Sequence, residues 1–401
     1  MFERDRHAYR RLGWATAFGG FATFMAVHST QALLPALAAH FHTSSAQASL
    51  ALSATVIGVA VAMIPLAWLA EQRGRVRMIT LALTVGGALG FVAAVAPNLQ
   101  ALVAVRGAQG IVLAAVPALL MSHIGHEVAP DARGGAMGRL IAGNTLGGLT
   151  GRLLAGAVAD HADWRLALAS VAVVSMLCTL AFRLLVPPSA TAAGPSRSLA
   201  DLYIGIRVLA RDRVVFCLCG LALLLLGSFE TVYNYLGFRL LGAPFTLSPG
   251  QAGLIFLAYI AGAGASVVAG RSGDRIGRRW IVAVGLVIAM AGIWITLVQQ
   301  LWTVLLGLVL VTVGFFAAHS AASGWIADHV AGGHVALTSA LYQVAYYTGG
   351  GLGGFGGGLA FDAEGWPGAV GFVTALLAGC LALYLIALRD QTPAVTPKIR
   401  R

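Results

Sequence analysis

The chain has 401 residues, 58% of them hydrophobic and only 10% charged, with a net charge of +11. A soluble domain carries about 25% charged residues, so this chain has too few to cover a surface that faces water. That excludes a soluble enzyme or binding domain and leaves an integral membrane protein.

Apolar runs of about 20 residues recur, each long enough to cross a bilayer as a helix. They lack the alternation of a lipid-facing strand, so the fold class is all-α and not a barrel. In chain order, twelve spans are predicted over 12–37, 47–70, 78–96, 99–122, 134–158, 166–186, 214–238, 251–270, 280–299, 302–326, 336–360 and 367–388. The first follows a basic tail without an A-x-A cleavage site and reads as a retained helix. Arginines gather in alternate loops: Arg4, Arg6, Arg10 and Arg11, then Arg73, Arg75 and Arg77, then Arg133. They return at Arg197, Arg207, Arg211 and Arg213, at Arg271, Arg275, Arg278 and Arg279, and at Arg389, Lys398, Arg400 and Arg401. This positive-inside pattern places both termini in the cytoplasm, as for a bacterial-type inner membrane protein. It also accounts for the net charge without nucleic acid. Cys178, Cys217, Cys219 and Cys380 lie inside apolar runs as small packing residues.

Between the sixth and seventh spans, Pro, Ser, Ala and Gly form a flexible linker. Leu199, Leu202, Tyr203, Ile206 and Leu209 then recur at helical spacing against Asp201, Arg207 and Arg211, as in a short amphipathic helix on the cytoplasmic surface. The expected division is therefore a six-helix half over 1–186, a linker over 187–213 and a second six-helix half over 214–401. The stretch "AWLAEQRGRVRM" (67–78) aligns with "AGRSGDRIGRRW" (269–280), placing Gly74 on Gly277, Arg75 on Arg278 and Glu71 on Asp274. The offset of 203 residues is half the chain and points to duplication. Parallel repeats of this kind are a transporter plan, with a substrate site at the midplane.

The second copy, Gly270 through Asp274, Arg275, Gly277 and Arg278, resembles the loop signature of the major facilitator superfamily. The resemblance implies a gating loop that locks the cytoplasmic side when the transporter faces outward. The first copy departs from it at Ala67 and Glu71, which implies a weaker lock there. Arg106-Gly107-Ala108-Gln109-Gly110 resembles the family's R-x-x-Q-G, whose arginine is tied to proton coupling. Gly134, Gly143, Gly147 and Gly151 match the glycine-rich antiporter signature, with Gly148 replacing a proline and Arg152 the last glycine. "GNTLGGLTGR" (Asn144, Arg152), "YNYLGFRL" (Tyr233, Asn234) and "HSAASGW" (His319) resemble the YnfM-type branch of bacterial efflux proteins. On that resemblance these residues are expected at a substrate cavity.

Ionisable groups deep in a span carry the functional argument, because an unpaired buried charge costs several kcal/mol. Glu230 lies about 16 residues into the seventh span, roughly 24 Å along it, and is the expected proton carrier. His28 falls at the same place in the first half, and either packs as a core histidine or shares that role. Arg106 is eight residues inside its span and is too deep for a loop charge. It either snorkels onto carbonyls or takes part in coupling. Arg152 could line the cavity or pair with Asp160. Tyr342, Tyr346 and Tyr347 open the eleventh span, the last two deep enough to meet a ligand. "HIGHEV" (His123–Val128) reads as a solvated helix end, since two histidines do not make a metal site. No metal or cofactor is expected, no phosphate-binding G-x-x-x-x-G-K-[ST] run occurs, and no nucleophile–base set marks an enzyme. The reading is a secondary active transporter, acting as a monomer, with a small-molecule substrate, protons and the lipid bilayer as partners. Proton-driven efflux of an organic compound leads; uptake of a metabolite and a non-transporting receptor or scaffold are the alternatives.

Overall fold

The computed structural model describes residues 6–129, 132–187, 199–330 and 335–390, the side chains of residues 6, 71, 199–202 and 336 excepted. Arg4, residues 188–198 of the linker, Lys398, Arg400, Arg401 and the side chain of Glu71 therefore lie outside the described residues. Regular structure among the described residues is helical throughout. In order the helices are α1 (Arg6–His28), α2 (Leu34–Phe41), α3 (Ser45–Arg73), α4 (Arg75–Ala94), α5 (Leu99–Leu113), α6 (Val116–Glu127), α7 (Arg133–Ala159) and α8 (Trp164–Leu185). There follow α9 (Leu199–Leu209), α10 (Arg213–Leu241), α11 (Pro249–Gly253), α12 (Ala258–Ile276), α13 (Arg278–Ile295), α14 (Leu301–His329) and α15 (Val335–Arg389). The amphipathic segment predicted within the 187–213 linker is α9.

Ten of these stretches are long and apolar enough to cross a membrane. The difference from twelve has two causes. The fifth predicted span, α7, is diluted by glycines and arginines. The eleventh and twelfth run together in α15, interrupted only at Gly365, whose φ of 65° and ψ of −148° are not helical, with Pro367 just beyond. Elsewhere proline divides a span. Pro35 opens α2 after α1 stops at His28, and Pro117 opens α6 after α5 stops at Leu113, in the first-turn positions where proline needs no donor.

The described residues group into two compact units that do not follow chain order. Unit 1 comprises Met1–Ser196, Tyr233–Leu257 and Gly354–Trp366; unit 2 comprises Arg197–Val232, Ala258–Gly353 and Pro367–Arg401. In unit 1, α1 packs on α7 and α8, α3 on α5, and α4 on α8. A core of Met25, Leu33, Leu37, Trp164, Leu168 and Val171 lies among them. In unit 2, α14 packs on both α12 and α13.

Glycine sets the closest approaches. Gly143, Gly147 and Gly151, one turn apart on α7, lie against the backbone of Ala17, Phe21 and Met25, one turn apart on α1. A side chain at any of them would collide with the facing main chain, so the helices meet backbone to backbone. Unit 2 repeats the device, with Gly349 and Gly353 of α15 against Leu223 and Gly227 of α10. The duplicated loops also match in backbone. Gly74 (φ 92°) alone separates α3 from α4, and Gly277 (φ 95°) alone separates α12 from α13.

Candidate functional site

Within unit 2, Glu230 of α10 is 3% exposed. Tyr346 and Tyr347 of α15 stand within electrostatic reach of its carboxylate. Beside it Phe229 stacks on Phe315 with ring centroids 3.8 Å apart, and meets Tyr259 and Phe316 edge-on. His319 lies parallel to Phe315 and 4.5 Å from the ring of Tyr346. Its Nδ1 is hydrogen-bonded to the Tyr342 hydroxyl at 3.1 Å. Four helices, α10, α12, α14 and α15, thus gather one acid, one imidazole and a set of aromatic faces. Glu230, His319, Tyr342, Tyr346 and Tyr347, predicted separately from sequence, are neighbours.

Tyr233 and Asn234 follow on the same helix but belong to unit 1, where they meet Arg152 through a residue the sequence did not single out. Arg152 Nε donates to Gln31 Oε1 at 2.6 Å, and Gln31 Nε2 donates to Asn234 Oδ1 at 2.8 Å. Arg152 also donates to the Gly148 carbonyl at 2.8 Å and lies over the ring of Phe256, on which Tyr233 stacks. Gln31 sits in the 3-10 turn between α1 and α2, so the break in the first span is what aims it. A cavity of about 160 Å³ opens beside this group, lined by Gln31, Pro35, Tyr233, Ile255 and Phe256 among others. Asp160, weighed above as a partner for Arg152, hydrogen-bonds Ser248 and Gly250.

Arg106 of α5 is 1% exposed, and its guanidinium reaches the C-terminal end of α1. Its Nη1 donates to Ala26 O at 2.9 Å, its Nη2 to Val27 O at 2.6 Å and its Nε to Ala51 O at 3.3 Å, while Gln109 Oε1 accepts a further bond. Gln109 in turn donates to Gly86 O at 2.6 Å. The guanidinium fork therefore holds the open carbonyls of α1 against α3. His28, whose Nδ1 is 3.2 Å from Phe24 O, lies within electrostatic reach of both Arg152 and Arg106. Asn144 is half-buried on α7, its side chain against Gly20 of α1.

In the second loop Arg278 joins two helices. It donates to Asp274 at 3.2 Å and to Asp328 of α14 at 2.7 Å. In the first copy the counterpart Arg75 meets the imidazole of His126 of α6 at 3.1 Å, where the other copy has carboxylates. The solvated helix end expected at His123–Glu127 is corrected by the structure. α6 continues through it, and His123 and Glu127 are each 2% exposed. Glu127, the last residue of α6, is therefore as buried as Glu230. Among the described residues no group of three or more His, Cys, Asp or Glu is arranged to hold a metal ion.

A family profile described as Major Facilitator Superfamily matches residues 16–244 and 228–401. The chain is similar to the uncharacterized MFS-type transporter YybF of Bacillus subtilis, 33% identical over 94% of this chain and 93% of that one. It is similar to the inner membrane transport protein YnfM of Escherichia coli, 31% identical over 94% of this chain and 90% of the relative. A solved bacterial homolog of the human lysosomal transporter Spinster, inward-facing and occupied, superposes with a TM-score of 0.79. It is 18% identical, covers 95% of this chain and 97% of its own, and so speaks to the fold alone.

Proposed function

The chain belongs to the major facilitator superfamily, and from that premise we propose that this multi-pass membrane transporter is a monomeric proton-coupled antiporter. Its cargo on this reading is a small organic compound, exported across a bacterial inner membrane by alternating access, with both termini and the linker cytoplasmic. The carrying observation is the burial of Glu230 among Tyr346, Tyr347 and the aromatic faces of unit 2. A carboxyl group in apolar surroundings is favoured in its neutral form, and opening to water on one side favours release of its proton. The adjacent rings and the His319–Tyr342 pair offer stacking and hydrogen-bonding surfaces for an organic ligand. Arg106, His28, Arg152, Asn144, Tyr233 and Asn234 serve the same cycle from unit 1, with Arg106 also holding α1 in place. Asp274, Arg275 and Arg278 act with Gly270 and Gly277 as the stronger cytoplasmic lock, and Glu71 and Arg75 as the weaker one.

The test uses proteoliposomes with a trapped pH-sensitive dye and an imposed pH gradient, screened against small organic compounds. A compound that the protein carries dissipates the gradient through the parent and not through Glu230→Gln, which mimics the protonated acid. Equal dissipation by the variant removes Glu230 from coupling.

A further inference from the structure

Two carboxylates sit at the wrong end of their own helices. Asp160 is the C-terminal cap of α7. Asp362 lies three residues before the break at Gly365 that ends the first part of α15. A negative charge near a helix C-terminus is unfavourable, whereas near an N-terminus it is stabilised. Each acid is turned onto the N-terminus of a helix from the opposite half of the sequence. Asp362 accepts from the Ser45 amide at 3.1 Å and the Ala46 amide at 3.2 Å, and from the Ser45 hydroxyl, at the start of α3. Asp160 accepts from the Gly250 amide at 2.8 Å and the Ser248 hydroxyl at 3.0 Å, at the start of α11. Gly250 has no side chain to keep Asp160 away.

The two contacts are copies of each other. Both receiving helices start with a serine-glutamine capping box, Ser44 with Gln47 and Ser248 with Gln251. Those boxes already satisfy the N-cap amides internally, so the acids bind additional donors. The arrangement is reciprocal: the first half of the chain supplies Asp160 to the second, and the second supplies Asp362 to the first. Both contacts lie within unit 1, where 233–257 and 354–366 pack on N-terminal helices. Near the Asp362 contact Tyr235 donates to Gly354 O at 2.5 Å, and Ser49 points to the same carbonyl.

We propose that Asp160 and Asp362 are paired gating residues that hold the outer face of the transporter shut, each by capping a helix of the other half. Breaking both contacts releases α3 and α11 together and favours the outward-open state. The assignment rests on the cytoplasmic placement of the termini and not on Glu230.

The test needs no substrate. Ser49→Cys, buried beneath the Asp362 contact, is the reporter on a background lacking the native cysteines. Intact cells are treated with a membrane-impermeant trimethylammonium methanethiosulfonate. Loss of a charge-assisted acceptor in Asp160→Ala or Asp362→Ala raises the labelling rate about tenfold, and the double variant exceeds either. Ala363→Cys, exposed beside the contact, is labelled from outside in every variant. Failure there overturns the outer placement separately from any result on proton coupling. In a parallel set of variants Cys380, in the core of unit 2, is kept as the single cysteine and stays unlabelled; its labelling marks general loosening and overturns the gating role. If the alanine variants do not purify as folded protein, Asp160→Asn with Asp362→Asn carries the test in the same direction. Unchanged Ser49→Cys labelling in a folded double variant overturns the proposal.

Discussion

Replacing Gly147 with alanine tests whether the glycine run of α7 is a close-packing device. An added Cβ would sit 2.6 Å from the Cα and 2.7 Å from the carbonyl carbon of Phe21, and closer still to its oxygen. Ordinary contact begins at 3.4 Å, so α1 and α7 must part by roughly an ångström in a densely packed interior. The obstacle is main chain, which cannot rotate aside as a side chain does. Overpacking of this kind costs about 1–3 kcal/mol, and the backbone obstacle puts Gly147 in the upper half of that range. Alanine returns up to about 1 kcal/mol of helix propensity, leaving Gly147→Ala destabilised by about 1–2 kcal/mol. Gly138, on the same helix with nothing within 4 Å of its would-be Cβ, supplies the control. Gly138→Ala gains propensity without collision. Thermal unfolding in detergent should rank Gly138→Ala at or above the parent and Gly147→Ala below it. If Gly147→Ala melts as high as Gly138→Ala, the close-packing argument fails.

Arg106→Lys keeps the charge and loses the fork, so at least one of the carbonyls of Ala26, Val27 and Ala51 is left without its donor. A loss of about 1–3 kcal/mol is expected in unfolding measurements; unchanged stability would show that charge alone is required. Gly277→Ala and Gly74→Ala meet no atom within 4 Å, so their cost is backbone strain at φ 95° and 92°. Each should lose about 1–3 kcal/mol, similar in the two copies, as read by melting temperature; no loss in either would mean the turn relaxes freely.

What the sequence made legible follows the physics of each feature. Apolar length and arginine placement act locally, so the spans and their loops could be read off directly. Gly74 and Gly277 were found because the duplicated stretches align on them, and each supplies a one-residue turn whose conformation only glycine adopts cheaply. The family signature drew attention to Gly143, Gly147 and Gly151, but the reason for their spacing lies on α1, at Ala17, Phe21 and Met25. Gln31 and Asp362 were missed, and Asp160 was matched to Arg152 instead of Ser248 and Gly250, for the same cause. Each binds a partner far along the chain, and nothing in helical periodicity says which helices abut. Asp160 and Asp362 look like solvated loop charges until the serine-capped N-termini appear opposite them. Glu127 looked like a solvated helix end because the predicted span stopped five residues early. Duplication makes the shared features easier to read, since each occurs twice. It conceals the differences, which show only when partners are known. Arg75 and Arg278 are one residue in alignment, yet one faces His126 and the other Asp274 and Asp328. An arginine between two carboxylates is held by charge as well as by hydrogen bonding, whereas an imidazole offers no anionic partner. The difference between the two loops, visible in the sequence at Glu71 and Ala67, therefore extends to the partners on the neighbouring helices.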